Sequence, residues 1–284
     1  MPEGPEVRRE AMALARILVD EPLVRVEYRV PRLAPRARML ENAQVKSVTS
    51  HGKAMLIAWS NGLTHYSHNQ LYGKWRVVTA PRLPRLLERH ERSIRVVLST
   101  ADDAAALLSA TQIELLTARE LAKQPYLASL GPDVLERSTT VAIVERRLRD
   151  PAFARRQLGA LLLDQRFLAG LGNYLRSDIL HASGLRHQMR PQDLSDQARK
   201  RLARAAVELP RLSLKTGGIT QDPSLTRVLT RQGIARGDLR FRVYGRSEKP
   251  CWICATPIRR VNAGGRGIYY CPKCQSDEGL RRRT

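Results

Sequence analysis

The four cysteines of the chain stand together near its end, Cys251, Cys254, Cys271 and Cys274, in the pattern C-x2-C-x16-C-x2-C. Two short claws separated by a hairpin-length loop can close a tetrahedron of thiolates around a zinc ion, and no cysteine is left over elsewhere. The alternative is a pair of disulfides, which needs an oxidising compartment, and nothing at the N-terminus resembles a secretion signal. Four thiolates leave no open coordination position, so a zinc ion held here is structural. Between the claws, Gly264-Gly265 suits the turn of a hairpin with Arg266 at or near its tip. A metal-stapled finger presenting a guanidinium is well made to grip a phosphate bidentately.

The charge balance narrows the partner. The chain has 284 residues, 49 Lys+Arg against 27 Asp+Glu, and a formal net charge of +22. Such an excess points to a polyanion, because each cation docked on a phosphate releases a counterion. A membrane surface is the competing polyanion, but no stretch approaches the apolar length of a spanning helix and no lipidation motif is visible. Solvated helix faces rich in arginine would give the same composition. With 43% hydrophobic residues the chain can build true cores, and its length favours about two domains.

The elements that must position these groups fall into two textures. Pro5 suits a first helical turn, Glu3 and Glu6 complement a positive helix end, and Val7, Ala11, Leu14 and Leu18 form one apolar stripe. Period two then takes over: Val24, Val26, Tyr28 and Val30 alternate with charged residues. Further strands are expected at Gln44–Ser50, Ala54–Trp59, Gly62–Tyr66, Lys74–Thr79 and Ser93–Ser99, punctuated by Gly52, Asn61-Gly62 and Gly73. From about Ser138 the pattern is helical, with one later helix expected over Ser195–Leu209. Between the helices, Gly170 and Gly172 permit a tight turn and Asn173 suits an N-cap. A helix beginning there could aim backbone N–H groups at a phosphate, or the pair could be an ordinary αα-hairpin. Residues Thr216–Asp238 read as a loop or a short, poorly specified helix.

Five segments, in order and in register, resemble the Fpg/Nei family of DNA glycosylases, and its endonuclease VIII branch in particular. They are Met1–Arg9, His51–Ala54, Tyr66–Gly73, Leu161–Arg176 and Gly265–Tyr270 running into Cys271. The resemblance covers the chain from Met1 to about Gln275. It implies that Pro2, exposed by removal of the initiator, is the nucleophile. A terminal amine titrates near about 7.7–8.0, so more of it is free at neutrality than of a lysine. Glu3 is then the general acid/base, Lys53 a phosphate contact and proton donor, and Arg266 a phosphate grip with a part in δ-elimination. Gln70, Leu71 and Tyr72 resemble the wedge that fills the hole left by an everted base, and Asn173 the helix-cap phosphate ligand.

The resulting expectation is an α+β chain: an N-terminal catalytic β-sandwich opened by one helix (1–125), a linker (126–150), a helix–two-turn–helix DNA-binding domain (151–238), a four-cysteine zinc finger (239–275) and a disordered basic tail (276–284). It implies a monomeric, cytoplasmic, nucleoid-associated enzyme of base excision repair. That enzyme removes oxidised pyrimidines from damaged double-stranded DNA bound between its domains, and cuts by β- and δ-elimination through a Pro2 Schiff base. One structural zinc, no redox cofactor and no membrane are expected. The rivals are the purine-directed sibling activity and a DNA binder without chemistry. Three features depart from the branch pattern and bear on lesion range: Ser129 stands where an arginine can be offered, His51 replaces the usual arginine before Gly-Lys, and 216–238 is long.

Overall fold

The computed structural model describes residues 2–275, so the tail expected over 276–284 lies outside the described residues. The chain forms two compact units, residues 1–129 and 130–284.

The first unit is a β-sandwich opened by a helix, α1 (Gly4–Leu18), followed by β1 (Arg25–Tyr28), α2 (Ala34–Arg38), β2 (Val45–His51), β3 (Ala54–Trp59), β4 (Thr64–His68), β5 (Lys74–Thr79), α3 (Leu83–Arg89), β6 (Ile94–Ser99), β7 (Asp103–Leu108), β8 (Gln112–Leu116), α4 (Ala118–Ala122) and α5 (Pro125–Ser129). Two antiparallel sheets run in the orders β2-β3-β4-β8 and β1-β6-β7-β5. Alternation sends Met55, Ile57 and Trp59 of one sheet and Val96, Leu98, Ala105 and Leu107 of the other into a shared core. The apolar stripe of α1 joins that core, with Val7, Ala11, Leu14 and Leu18 all buried.

Strands β7 and β8 are absent from the sequence expectations. Ala104–Leu108 is apolar throughout because α3 covers one face of β7 and the sandwich core the other, so no alternation marks it. On the outer face of the other sheet, Leu121, Tyr126 and Leu127 from α4 and α5 pack on Ala54, Leu56 and Tyr66.

The second unit contains α6 (Val141–Arg149), α7 (Pro151–Ala154), α8 (Leu158–Leu161), α9 (Asn173–Ser183), α10 (Asp196–Thr216), α11 (Pro223–Arg231) and the hairpin β9 (Arg259–Ala263) and β10 (Arg266–Tyr270). Residues 126–150, expected as a linker, are structured: Val134, Val144 and Leu148 are fully buried in the helical core beside Leu175 and Ile179. The helix expected over Ser195–Leu209 runs on through Pro210 to Thr216. Its last turns are held from outside: Arg211 donates to the Glu136 and Thr139 carbonyls at 2.8 Å, and the Ser213 hydroxyl meets Tyr174 at 3.0 Å. Those contacts offset the hydrogen bond that proline cannot donate.

Within 216–238 the structure resolves the open choice in favour of a helix. Asp222 caps α11 by accepting from the Ser224 and Leu225 amides. No residue of α11 is buried.

Candidate functional site

The residues expected to do chemistry fall in both units. In the first, Glu3 is the N-cap of α1, and its backbone N–H donates to the Glu6 carboxylate at 3.1 Å in a capping box. Glu3 is buried, 2% exposed, with Pro2 directly before it. Further along α1, Arg8 clamps the end of β2, donating from Nε to Ser50 Oγ at 2.7 Å and from Nη2 to the Ser50 carbonyl at 3.1 Å. Ser50 and His51 lead into the turn His51-Gly52-Lys53, where Gly52 adopts a positive φ of 59°. The start of α1 and the Lys53 turn are thereby tied to one piece of scaffold.

Lys53 is 8% exposed. Its backbone N–H donates to the Tyr126 hydroxyl at 3.0 Å, and Tyr126 packs edge-on against the His68 ring. Burial first, and the Lys53 charge second, pull the His68 imidazole down to about 4, so His68 is neutral at pH 7. Its Nδ1 accepts the Gln70 backbone N–H at 3.1 Å, which places the ring proton on Nε2.

Gln70, Leu71 and Tyr72 form the tip of the loop between β4 and β5. Leu71 is 54% and Tyr72 75% exposed, two large apolar side chains facing solvent at one point. The loop is closed by Gly73, whose N–H donates to the Asn69 carbonyl at 2.8 Å. A Cβ at Gly73 would lie 2.6 Å from that oxygen, so only glycine fits. Gln70 takes a positive φ of 47°, and Thr111 donates to its side-chain oxygen at 2.6 Å.

Glu10, which carries no sequence signal, anchors the base of this loop. Its carboxyl accepts from Asn69 Nδ2 at 2.9 Å and from the Trp75 backbone, so α1 holds both stems. Burial pushes the Glu10 carboxyl up to about 7, against the pull of those hydrogen bonds. His68 and Asn69 lie inside the Tyr66–Gly73 segment that carries the resemblance, but nothing in their types announces these contacts.

In the second unit Asn173 is not the N-cap of α9. Gly172 takes that position in extended backbone, and Asn173 is the first helical residue. The turn before it is made by Gly170, at φ 95°, and by Gln165, which bonds the Gly170 amide and the Leu163 and Leu171 carbonyls. Asn173 Nδ2 donates to the Gly267 carbonyl at 3.0 Å. The fully buried Arg176 reaches the same carbonyl at 3.3 Å and the Gly159 carbonyl at 3.1 Å. The start of α9 is thus bonded to the zinc-finger hairpin one residue from Arg266. Gly264 and Gly265 turn that hairpin at φ 60° and 75°, and Arg266 pairs with Ala263 and is exposed.

The sulfur atoms of Cys251, Cys254, Cys271 and Cys274 all lie within 4.8 Å of one another. The Cys254–Cys271 and Cys254–Cys274 separations are 3.4 Å and the Cys251–Cys274 separation 3.8 Å. A tetrahedral zinc with Zn–S of about 2.3 Å has sulfur–sulfur edges of about 3.8 Å, whereas a disulfide needs about 2.05 Å. The donor set fits zinc. Beneath it, Asp178 of α9 accepts from the Arg242, Val243 and Tyr244 amides and from Thr220, fastening the finger's approach segment to the helical core.

Three domain families match in chain order. The Formamidopyrimidine-DNA glycosylase N-terminal domain covers residues 1–113, its H2TH domain 130–224, and the zinc finger found in FPG and IleRS 248–276. Endonuclease 8 of Klebsiella pneumoniae subsp. pneumoniae is 42% identical over 275 residues, covering 97% of this chain and all of that protein. The chain belongs to the Fpg/endonuclease VIII family. Endonuclease 8 of Escherichia coli K12 matches at the same identity and coverage. Among solved structures, Lactococcus lactis Fpg complexed with abasic-site DNA aligns with a TM-score of 0.78 at 22% identity, over 97% of this chain and all of that one. MutM in complex with carbocyclic 8-oxo-G DNA aligns at 0.77, with the same identity and coverage. Those two likenesses establish the Fpg fold: sandwich, helix–two-turn–helix and zinc finger. As a member of the Fpg/endonuclease VIII family the chain is a DNA-binding repair enzyme, a DNA glycosylase with AP lyase activity. Among the described residues no helix is long and apolar enough to cross a membrane.

Proposed function

We propose that this enzyme excises oxidised pyrimidines from damaged double-stranded DNA in the bacterial cytoplasm, acting as a monomer, and then cuts the strand by successive β- and δ-elimination through a Schiff base on Pro2. The observation that carries this reading is Glu3: a carboxylate 2% exposed, at the positive end of α1 and adjacent in the chain to the only residue whose amine can become a secondary-amine nucleophile.

Removal of Met1 leaves the Pro2 ring nitrogen as a terminal amine, titrating about two units below a lysine. Its lone pair attacks C1′ of the damaged nucleotide, and the base departs with the glycosidic electron pair and a proton. The C1′–O4′ bond then breaks, O4′ taking a proton as the nitrogen gives up its own, and the opened sugar is left as an iminium on Pro2. The iminium draws electrons from C2′ when that carbon loses a proton, expelling the 3′ phosphate, and a second elimination expels the 5′ phosphate. Glu3 shuttles the protons of base release and ring opening. Lys53, with its long side chain largely withdrawn from water, contacts a phosphate and donates a proton during β-elimination. Arg266 grips a phosphate from the finger and assists δ-elimination. Leu71 and Tyr72 fill the vacated stack, Gln70 faces the orphaned base, and Asn173 contributes to phosphate binding from the start of α9. A zinc ion on the four cysteines supplies no reaction chemistry; it fixes the hairpin that bears Arg266.

Borohydride trapping on duplexes carrying thymine glycol, 8-oxoguanine or an abasic site tests this directly. The expected result is a trapped complex and phosphate-ended nicks with thymine glycol, lost in Pro2→Ala. Trapping with 8-oxoguanine alone would move the enzyme to purine lesions. Abasic-site nicking that survives unchanged in Pro2→Ala would end the Schiff-base assignment.

A further inference from the structure

The lyase assignment leaves one strongly charged feature of the first unit unused. Strand β5 is the edge strand of its sheet. Trp75 points into the sandwich core, so Lys74, Arg76 and Val78 face outward. Helix α3 lies on that outer face, seated by Leu83, Leu86 and Leu87 on Val97, Ala104, Ala106 and Leu108. Between strand and helix is an open cavity of about 730 Å³, lined by Lys74, Arg76, Arg82, Arg85 and Arg89 with an apolar floor that includes Val78 and Leu86. No carboxylate lines it.

The spacing is directed. Arg82, at the N-cap of α3, and Arg85 and Arg89 within it recur at intervals of three and four, which puts them on one side of the helix. Several arginines elsewhere are held by carboxylates: Arg36 by Glu120, Arg166 by Asp164, Arg199 by Asp196. Lys74, Arg82, Arg85 and Arg89 make no side-chain hydrogen bond or ion pair among the described residues. Charged residues on an edge strand guard against strand addition, which accounts for Lys74 and Arg76. It does not account for three more cations brought over the same hollow by a separate helix. Crowding like charges without counter-charges is unfavourable unless an anion with several charges occupies the place.

Position identifies that anion. Strand β5 begins two residues after Tyr72, at the foot of the wedge loop, and carries the basic face away from it. Six residues at about 3.3 Å each reach about 20 Å, which is about six base pairs of B-DNA at about 3.4 Å per pair. The hollow is open and offers rows of cations rather than a few converging donors and acceptors, which suits repeating backbone phosphates and not a small ligand. We propose that Arg82, Arg85 and Arg89, with Lys74 and Arg76, form a second DNA site that holds the phosphate backbone of the duplex flanking the lesion, without reading sequence. The inference rests on the wedge assignment of Gln70–Tyr72 made above.

The test compares wild type, the triple variant R82Q/R85Q/R89Q and the charge-conserving R82K/R85K/R89K, with binding measured against salt. Two abasic-analogue duplexes are used, with flanks of about four and about fifteen base pairs, chosen to end before or beyond the ~20 Å reach of the strand. On the long duplex the glutamine variant should show a slope of log K against log[salt] shallower by about 2 to 3, at about 0.9 per lost phosphate contact, and the lysine variant should keep the wild-type slope. On the short duplex all three slopes should coincide. A wild-type slope for the glutamine variant on the long duplex overturns the proposal. So does an equal loss on both duplexes, which would move these arginines to the lesion itself, and so does saturable binding of inorganic phosphate with no change in DNA affinity. Trapping of wild type on the short abasic duplex checks the Schiff-base reading separately, so the two can fail independently.

Discussion

At the residue scale, Glu10 shows how a group remote from any motif can govern one. It fastens Asn69 and the Trp75 backbone to the helix that begins directly after Pro2 and Glu3, so the exposed Leu71 and Tyr72 are presented from a fixed base. Its carboxyl is raised from 4.5 to about 7, so folding favours the protonated form. The sign follows: the wild type loses stability as pH climbs from about 4.5 to 7, because the unfolded chain releases that proton first. Glu10→Gln, neutral at every pH, should remove this dependence in thermal melts and keep the loop in place. Glu10→Ala releases Asn69 and should reduce excision of a damaged base about tenfold, the equivalent of one lost buried hydrogen bond. Incision at a pre-formed abasic site, which needs less of the wedge, should fall less. Single-turnover rates on the two substrates decide it; equal losses would remove Glu10 from loop positioning.

At the element scale, the sandwich carries an acid-sensitive joint. His65 of β4 is fully buried, its Nδ1 bonded to the Tyr28 hydroxyl of β1 at 3.0 Å, so it links the two sheets. Burial drives its imidazole down to about 3, and it is neutral in the folded state. The unfolded chain takes up a proton below about 6.5, so stability should fall with pH from there, by about 2 kcal/mol at pH 5 from this one group. Denaturant unfolding at pH 7 and 5 measures the loss, and His65→Gln should abolish most of the difference. Segment 216–238 is an element of another kind. Its helix α11 buries no side chain, while Arg236 and Arg240 staple its flanks to the Thr216 and Gly218 carbonyls at 2.7 and 3.2 Å. An exposed helix on secured flanks can vary without disturbing the core. Shortening 216–238 should therefore change the ratio of thymine-glycol to 8-oxoguanine excision more than it changes abasic-site cleavage, and equal losses would count against this.

At the scale of the whole molecule, the finger is the part least able to hold itself. Its own buried cluster comprises Val243, Ile258 and two cysteines, far too little apolar surface for a segment of under about 40 residues to fold alone. Metal and docking must supply the rest: the Asn173 and Arg176 bonds to Gly267, and the Asp178 carboxylate under Arg242–Tyr244, join the finger to α9. One zinc per chain is expected by elemental analysis. Stripping it with a chelator should disorder the hairpin, abolish strand cleavage and leave the sandwich folded, as read by near-UV circular dichroism of the two tryptophans in its core, Trp59 and Trp75. Cleavage that survives complete zinc removal would refute the structural role. Asp178→Ala, which leaves three backbone amides, one of them fully buried, without an acceptor, should destabilise the second unit by about 3 kcal/mol or more with zinc still bound.

Several features were legible from the chain alone because they rest on local chemistry. The cysteine spacing is set by the geometry of a tetrahedral ion, the strands β3 and β5 by short strand-like runs bounded by turn glycines, and α1 by its stripe and acidic first turn. The motif segments carried the family, since residues that must meet DNA are constrained in order as well as type. What sequence could not disclose depends on neighbours brought from far along the chain. Strand β7 has no alternation because both its faces are covered, and α10 passes Pro210 because Arg211 and Ser213 find partners elsewhere. Asn173 yields the cap to Gly172 because its side chain is drawn to the Gly267 carbonyl. Glu10 becomes an anchor, and α3 a basic wall, only when the fold sets them beside Asn69 and β5. Local propensity and spacing act within a few residues, whereas burial and hydrogen-bond partnership are decided by tertiary contact.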